Sequence, residues 1–383
     1  MKLIDLQKSV QELPRLTDIR QFGRSHEQRA VLESLLTHLG VKPVRVDDVT
    51  NMLGLNRGRV FAIRWDITSG EMGFKQPVMT SLLLFHLWRR RTLLSNVQVL
   101  IDAGNVNTSL ALSYLAASLD LRAEHILSRH FPEDIRSYML NHGRDCLTLI
   151  EAPPSKIGKE REFYSFLLNL MRDATRHRTH LCLWHAKYSG VATRWMGEAF
   201  SESWQVMPDD IVLGLGSGST LEGYAIPLKQ RFNNTPRIVI AEHQHSPLVC
   251  EKPVIANLFV NPYKQPQDFD EYRQSPTDAI PHMVLGPHYD EINPLISSDG
   301  LAQIGAVVRY SDLGWQEISL NCRLADMPIG NSSAANLTVA RYLASQGRIV
   351  FTFIYEPLRD FYIKQNVINE NEKKREQVLV SQY

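Results

Sequence analysis

Asp209-Asp-Ile-Val-Leu-Gly-Leu-Gly-Ser-Gly-Ser-Thr-Leu-Glu-Gly223 holds a short apolar run, a glycine-rich turn and the beginnings of a helix. Ile211, Val212 and Leu213 suit a buried strand, and Leu221, Tyr224, Ile226, Pro227 and Leu228 suit a helix that packs on it. Between them Gly214, Gly216 and Gly218 let the backbone turn tightly and approach a ligand closely. Ser217, Ser219 and Thr220 add hydroxyls beside the free N–H groups of a helix start, which is the chemistry of a phosphate cradle. The loop lacks the Gly-Lys-Ser/Thr ending of a P-loop and the Gly-x-Gly-x-x-Gly spacing of a dinucleotide site, so a small phosphate ester fits it better. The competing reading is a tight connection with no ligand.

The 383 residues are 44% hydrophobic and 22% charged, enough to bury a large core and to build two lobes of one α/β unit. A net charge of +1 argues against a nucleic-acid or anionic-membrane surface. Trp88-Arg89-Arg90-Arg91 reads as a helix end complementing its dipole. Met1 to Val10 has no apolar signal region and no apolar run nears a membrane span, so a cytoplasmic protein is expected. Cys146, Cys182, Cys250 and Cys322 are scattered, without a Cys-x-x-Cys pair, as reduced thiols are. His177, His180, His185, His243 and His245 share no ligand spacing, and no metal site is expected.

Ser25-His-Glu-Gln28 is a capping box ahead of a leucine-periodic helix. Strands are expected at Lys42–Val49, Arg59–Trp65, Val97–Ile101, Glu124–Leu127, Cys146–Ile150 and His180–Leu183. Helices are expected at Val78–Leu94, Leu110–Leu119, Asp134–Asn141, Lys159–Arg172 and Val191–Trp204. Such alternation implies largely parallel sheets flanked by helices.

Two segments join the glycine loop as candidates. Thr68-Ser-Gly-Glu-Met-Gly-Phe-Lys-Gln-Pro77 sets Lys75 at a helix N-terminus, where a cation meets the positive end of the dipole. That is a poor place for a decorative lysine and a good one for an amine that forms a Schiff base with an aldehyde cofactor. An exposed loop lysine is the plain alternative. Asp102-Ala-Gly-Asn-Val-Asn-Thr-Ser109 is a second polar loop between a strand end and a helix start, where open α/β sheets bind ligands. Its N–H groups and the Thr108 hydroxyl could hold a carboxylate, and Asn107 could reach a ring oxygen; caps and turns use the same residues.

In this order the segments resemble the fold-type II pyridoxal phosphate enzymes, most closely the cysteine synthase and cystathionine β-synthase group. Gly73-Phe-Lys75 resembles the end of the family's Asn-Pro-x-Gly-Ser-x-Lys loop. Asn107-Thr-Ser109 resembles its Asn-Thr-Gly loop, and Gly214-Leu-Gly-Ser-Gly-Ser-Thr220 its phosphate loop. Ala241-Glu-His-Gln-His-Ser-Pro247, Gly286-Pro-His288 and Gly330-Asn-Ser-Ser-Ala-Ala335 are similar to later family motifs. The match runs from about Val41 to Arg359. It departs where Gln76-Pro77 stands for Asp-Arg, where Ser109 stands for Gly, and where Tyr289-Asp-Glu-Ile-Asn293 replaces a glycine-rich run. Leu183-Trp-His185 stands where a Gln-Phe pair is expected.

The resemblance implies a two-lobed enzyme with pyridoxal 5'-phosphate between the lobes. Residues 1–45 would pack on the larger lobe, 46–178 form a smaller mobile lobe with the carboxylate loop, 179–365 form the cofactor-binding lobe, and 366–383 a polar tail. Lys75 would be the Schiff-base lysine and general base, with Gly214, Gly216, Ser217, Gly218, Ser219 and Thr220 on the phosphate. Asn107 or Asn105 would meet the cofactor hydroxyl, and Ser332 or Ser333 the pyridine nitrogen. Asn105, Thr108 and Ser109 would take the substrate carboxylate. The implied reaction is β-replacement on an O-activated serine or related amino acid through an aminoacrylate, with a second nucleophile and a homodimeric assembly. β-Elimination is the alternative reaction, and a non-catalytic, partner-binding relative is the alternative of another class.

Overall fold

The computed structural model describes residues 3–13, 16, 18–90, 96–127, 133–151, 172–173, 179–244, 251–258 and 296–359. In chain order the first half holds α1 (Leu3–Glu12), α2 (His26–His38), β1 (Arg45–Asp48), β2 (Arg59–Arg64), α3 (Lys75–Arg90), β3 (Val99–Ala103), α4 (Val106–Ser118), β4 (Arg122–Leu127), α5 (Glu133–His142), β5 (Leu147–Glu151) and β6 (His180–Cys182). The second half holds α6 (His185–Ser203), β7 (Asp210–Leu213), α7 (Ile226–Arg231), β8 (Arg237–His243), β9 (Val254–Leu258), α8 (Ser298–Ala302), β10 (Ile304–Tyr310), α9 (Asp312–Leu324), α10 (Asn331–Ser345) and β11 (Ile349–Ile354). The expected helix Lys159–Arg172, the Gly286-Pro-His288 motif and the tail from Asn366 lie largely or wholly outside the described residues.

The strands form two sheets. One has seven strands in the order β1-β2-β11-β7-β8-β10-β9, and the other has four, β5-β4-β3-β6. All pairings are parallel except β1 with β2. Parallel strands need crossovers, and helices supply them, which buries both sheet faces. Hence Val99–Ala103 and Asp210–Leu213 are buried at every position. The four-stranded sheet uses residues 99–182, while β1 and β2 (45–64), inside the segment expected to be the smaller lobe, pair into the seven-stranded sheet.

The helices between the sheets form a continuous core. α3 packs on α6 and α4, burying Val78, Leu82, Phe85 and Trp88. Ser25 caps α2 by accepting from the Gln28 N–H at 3.2 Å, while the Gln28 side chain reaches back to the Gly23 N–H at 2.8 Å rather than to Ser25 itself.

Three helices start earlier than the sequence pattern indicates. α3 begins at Lys75, α4 at Val106 and α6 at His185, because polar first turns carry no apolar periodicity. At α4 the cause is local. Asn105 is extended (φ −92°, ψ −174°) and its side chain accepts from the Thr108 N–H, so Asn105 caps the helix and Asn107, Thr108 and Ser109 are its first turn rather than a loop before it.

Candidate active site

The C-terminal ends of β7 and β11 and the N-terminal ends of α3, α4 and α10 converge on one cleft. Lys75 lines it on one side, Asn105 and Asn107 on another, and Gly214 to Leu221 form a third wall. Ser332, Tyr355 and Glu356 complete it. Thr108, Ser109 and Ser333 are not among its lining residues and are fully buried behind it.

The glycine loop connects β7 to a helical run from Ser219 that passes through a π turn, Leu221–Ala225, into α7. Gly218 has φ +85°, and a Cβ there would lie 2.8 Å from Ile296 Cγ1, so glycine is required on both counts. The Ser217 and Ser219 hydroxyls lie 3.1 Å apart. They stand beside the unbonded N–H groups of a helix start, and Glu356, across the cleft, is the only lining carboxylate among the described residues. Such a wall suits a phosphate.

Lys75 is fixed by the segment before it. Gly73 has φ +49° and lies so close to the Tyr355 carbonyl that a Cβ would collide with it, and the Phe74 N–H donates to that carbonyl at 3.0 Å. The aromatic rings of Trp65, Phe74 and Tyr224 pack edge-on or tilted around this bend, with centroids 5.0–5.8 Å apart. Lys75 is partly accessible, from the cleft. Burial pushes its pKa down to about 8, against the opposing pull of Asp102 and Glu356. Roughly a tenth of the amine is therefore neutral at pH 7, far more than for an ordinary lysine, and the neutral form is what a nucleophile at a carbonyl carbon needs.

Behind Lys75 the sequence reading missed a buried polar cluster. Asp102, at the end of β3, accepts from the Ala103 N–H at 2.8 Å and from the His185 N–H at 3.1 Å. Its Oδ1 also lies 3.3 Å from His185 Nδ1. Burial, then the Lys75 charge, pushes the His185 pKa down against Asp102. His125 donates from Nε2 to the Gly104 carbonyl at 3.1 Å and is pushed down to about 4 by burial, so it is neutral. Asp102 and His185 both fall in segments that the sequence singled out, but only the pairing of β3 with β6 reveals that they touch.

Asn107 donates to Glu356 and accepts from Arg359, so both ends of its amide are engaged. Asn105 uses its oxygen as the α4 cap, and its side-chain nitrogen has no hydrogen-bond partner among the described residues. Ser332 donates to Glu356 Oε1 at 2.8 Å, whereas the Ser333 hydroxyl accepts from the Tyr355 N–H at 2.9 Å. Tyr355 and Glu356 were also missed. A carboxylate just past a strand end has no motif around it, although strand C-termini are where α/β sheets place ligands. Among the described residues no cluster of His, Cys, Asp or Glu could hold a metal ion, and His180 and His243 instead face Glu124 and Asp312.

Solved structures of low sequence identity share this two-sheet fold. An O-acetylserine-dependent cystathionine β-synthase from Helicobacter pylori superposes with a TM-score of 0.63 at 16% identity, covering 86% of this chain and 96% of that one. The chain shares its fold. An O-acetylserine sulfhydrylase isoform from Entamoeba histolytica gives a TM-score of 0.63 at 12% identity, covering 85% of this chain and 88% of that one. A hydrogen sulfide-producing enzyme, captured with an α-aminoacrylate intermediate, gives 0.61 at 16%, covering 85% and 89%. At these identities the likeness is one of fold. No protein-family model and no curated protein matches the sequence. No described helix is long and apolar enough to cross a membrane.

Proposed function

We propose that the protein is a pyridoxal 5'-phosphate enzyme that exchanges the β-substituent of an O-activated serine or a related small amino acid for a second nucleophile, working as a homodimer in the cytoplasm. The observation that carries this reading is Lys75, a desolvated amine at a helix start, facing a glycine and hydroxyl wall across one cleft.

The residues fit the cofactor. Gly218 leaves room that a Cβ would fill, the hydroxyls of Ser217, Ser219 and Thr220 stand at a helix start, and burial favours the neutral form of the Lys75 amine. Bound pyridoxal phosphate would supply the electron sink for the substrate's Cα. This chain would do the rest. Lys75 would hold the aldehyde and, as an amine at the cleft wall, would serve as the base for the substrate's Cα proton. The first turn of α4 would orient the substrate carboxylate with its N–H groups and the Asn105 amide. The relatives with this fold include enzymes that use O-acetylserine or produce hydrogen sulfide, which favours β-replacement here. The departures of the sequence around the carboxylate loop keep β-elimination as the second reading.

Borohydride reduction of the purified, cofactor-loaded protein should fix pyridoxal phosphate to Lys75. A colourless protein, or an adduct on another lysine, would remove the foundation. With a panel of amino acids, release of a keto acid and ammonia without added nucleophile would select elimination. Uptake of an added thiol into product would select replacement.

A further inference from the structure

Glu356 is a buried carboxylate, 5% exposed, on the wall of the cleft. Its seat is built for it. Gly330 ends the turn before α10, and a Cβ there would strike Glu356 Cγ and Oε1, so the side chain lies against the helix start. An anion is favoured there by the helix dipole. Oε1 accepts from the Ser332 hydroxyl at 2.8 Å and Oε2 from the Asn107 amide. Arg359, 3% exposed, holds the other end of Asn107 by donating to its Oδ1.

Two features of this chain of contacts call for a ligand. Among the described residues no cation touches Glu356; Arg359 acts on it through Asn107, and Lys75 acts through space. A buried carboxylate held by neutral donors alone is expensive, and each of its oxygens keeps an acceptor site beyond the one hydrogen bond it makes among the described residues. When the Lys75 amine bonds an aldehyde, much of the positive charge facing Glu356 is altered or shared with the ligand. A protonated ring nitrogen would supply both the missing donor and the missing charge.

We propose that Glu356, and not Ser332 or Ser333, is the partner of the pyridine nitrogen and keeps it protonated, while Ser332, Asn107 and Arg359 position the carboxylate. The inference rests on the cofactor reading above. It changes the chemistry expected of that site, because a protonated ring draws electrons from Cα more strongly than a neutral one next to a serine hydroxyl. The substrate Cα–H should then exchange with solvent readily.

The test is nitrogen NMR of the protein loaded with pyridoxal phosphate labelled at the ring nitrogen. Wild type should give the upfield signal of a protonated pyridine, Glu356→Gln should move it to the unprotonated position, and Ser332→Ala should leave it protonated. An unprotonated signal in wild type, or one unmoved in Glu356→Gln, overturns the assignment. Should Glu356→Gln not fold, the wild-type signal decides alone. Mass analysis after borohydride treatment keeps the two questions apart. No adduct on Lys75 sinks the cofactor reading and this inference with it, whereas an adduct with an unprotonated ring sinks this inference only.

Discussion

Lys75 combines two conditions that few lysines meet together, a helix N-terminus behind it and a partly closed cleft before it. Both disfavour the ammonium. With its pKa pushed down to about 8 from 10.5, the folded apoprotein sheds this proton while the unfolded chain still holds it. The unfolded state therefore binds more protons between about pH 8 and 10.5, and stability must rise with pH across that window. The gain is ~3 kcal/mol at most. Denaturant titrations of the apoprotein at pH 7.5 and 10 should show it relative to Lys75→Met, which also cancels the opposing contribution of buried tyrosines; parallel pH profiles for the two proteins would place the amine in water. Asn105 gives a second expectation at this scale. Asn105→Ala should cost ~1 kcal/mol through the lost cap. It should also raise the amino-acid concentration that shifts the cofactor spectrum by about tenfold, the worth of one hydrogen bond to a charged group. Equal midpoints would show that Asn105 is a cap and nothing more. Lys75 was legible in the sequence because its position conflicts with the dipole. Glu356 was not, because its meaning comes from Ser332 and Asn107, 24 and 249 residues away.

At the scale of elements, the alternation of apolar runs and helical periods was enough to locate the strands from β2 to β7, most plainly β2, β3 and β7, which are buried along all or nearly all of their length and read as apolar stretches. Helix starts were harder. The first turns of α3 and α4 bring Lys75 and Asn107 to the cleft, and a polar turn of this kind suppresses the periodicity that marks a packing one. The π turn at Leu221–Ala225 could not be anticipated either; it follows from close packing on α6, where Gly197 lies against the Gly223 carbonyl. The bend before α3 has a sharper dependence on one residue. Gly73→Ala puts a side chain at φ +49° against the Tyr355 carbonyl. It should cost ~1–3 kcal/mol in backbone strain alone. Cofactor uptake should fall with it, since the bend aims Lys75. Thermal unfolding and a cofactor titration of this variant check both, and unchanged affinity would mean that α3 positions Lys75 without the bend.

For the whole molecule, the cleft draws walls from both sheets: the α4 start follows β3 of the four-stranded sheet, while the glycine loop, Ser332 and Glu356 follow strands or begin helices of the seven-stranded one. A ligand bound there ties the two together and should stabilise the chain by mass action, ~2.7 kcal/mol at a hundredfold excess over its dissociation constant. Melting curves with rising pyridoxal phosphate should climb accordingly, and those of Lys75→Ala should climb less. A flat response in wild type would argue that the fold has been kept without its cofactor. How the chain divides between the sheets was only partly readable. The hairpin β1–β2 joins the larger sheet by pairing β2 with β11, nearly three hundred residues on, and no local pattern records a partner so distant.

The Phe74 N–H to Tyr355 carbonyl bond fastens the lysine bend directly to the strand end that bears Glu356. Lys75 and Glu356 are thus tied to each other through one backbone contact, and Asn107 ties the α4 start to the same carboxylate. A protein engineer who redraws residues 103–109 to admit a different amino acid would have to keep Asn107, because the same stretch that would meet the substrate also holds Glu356 in place.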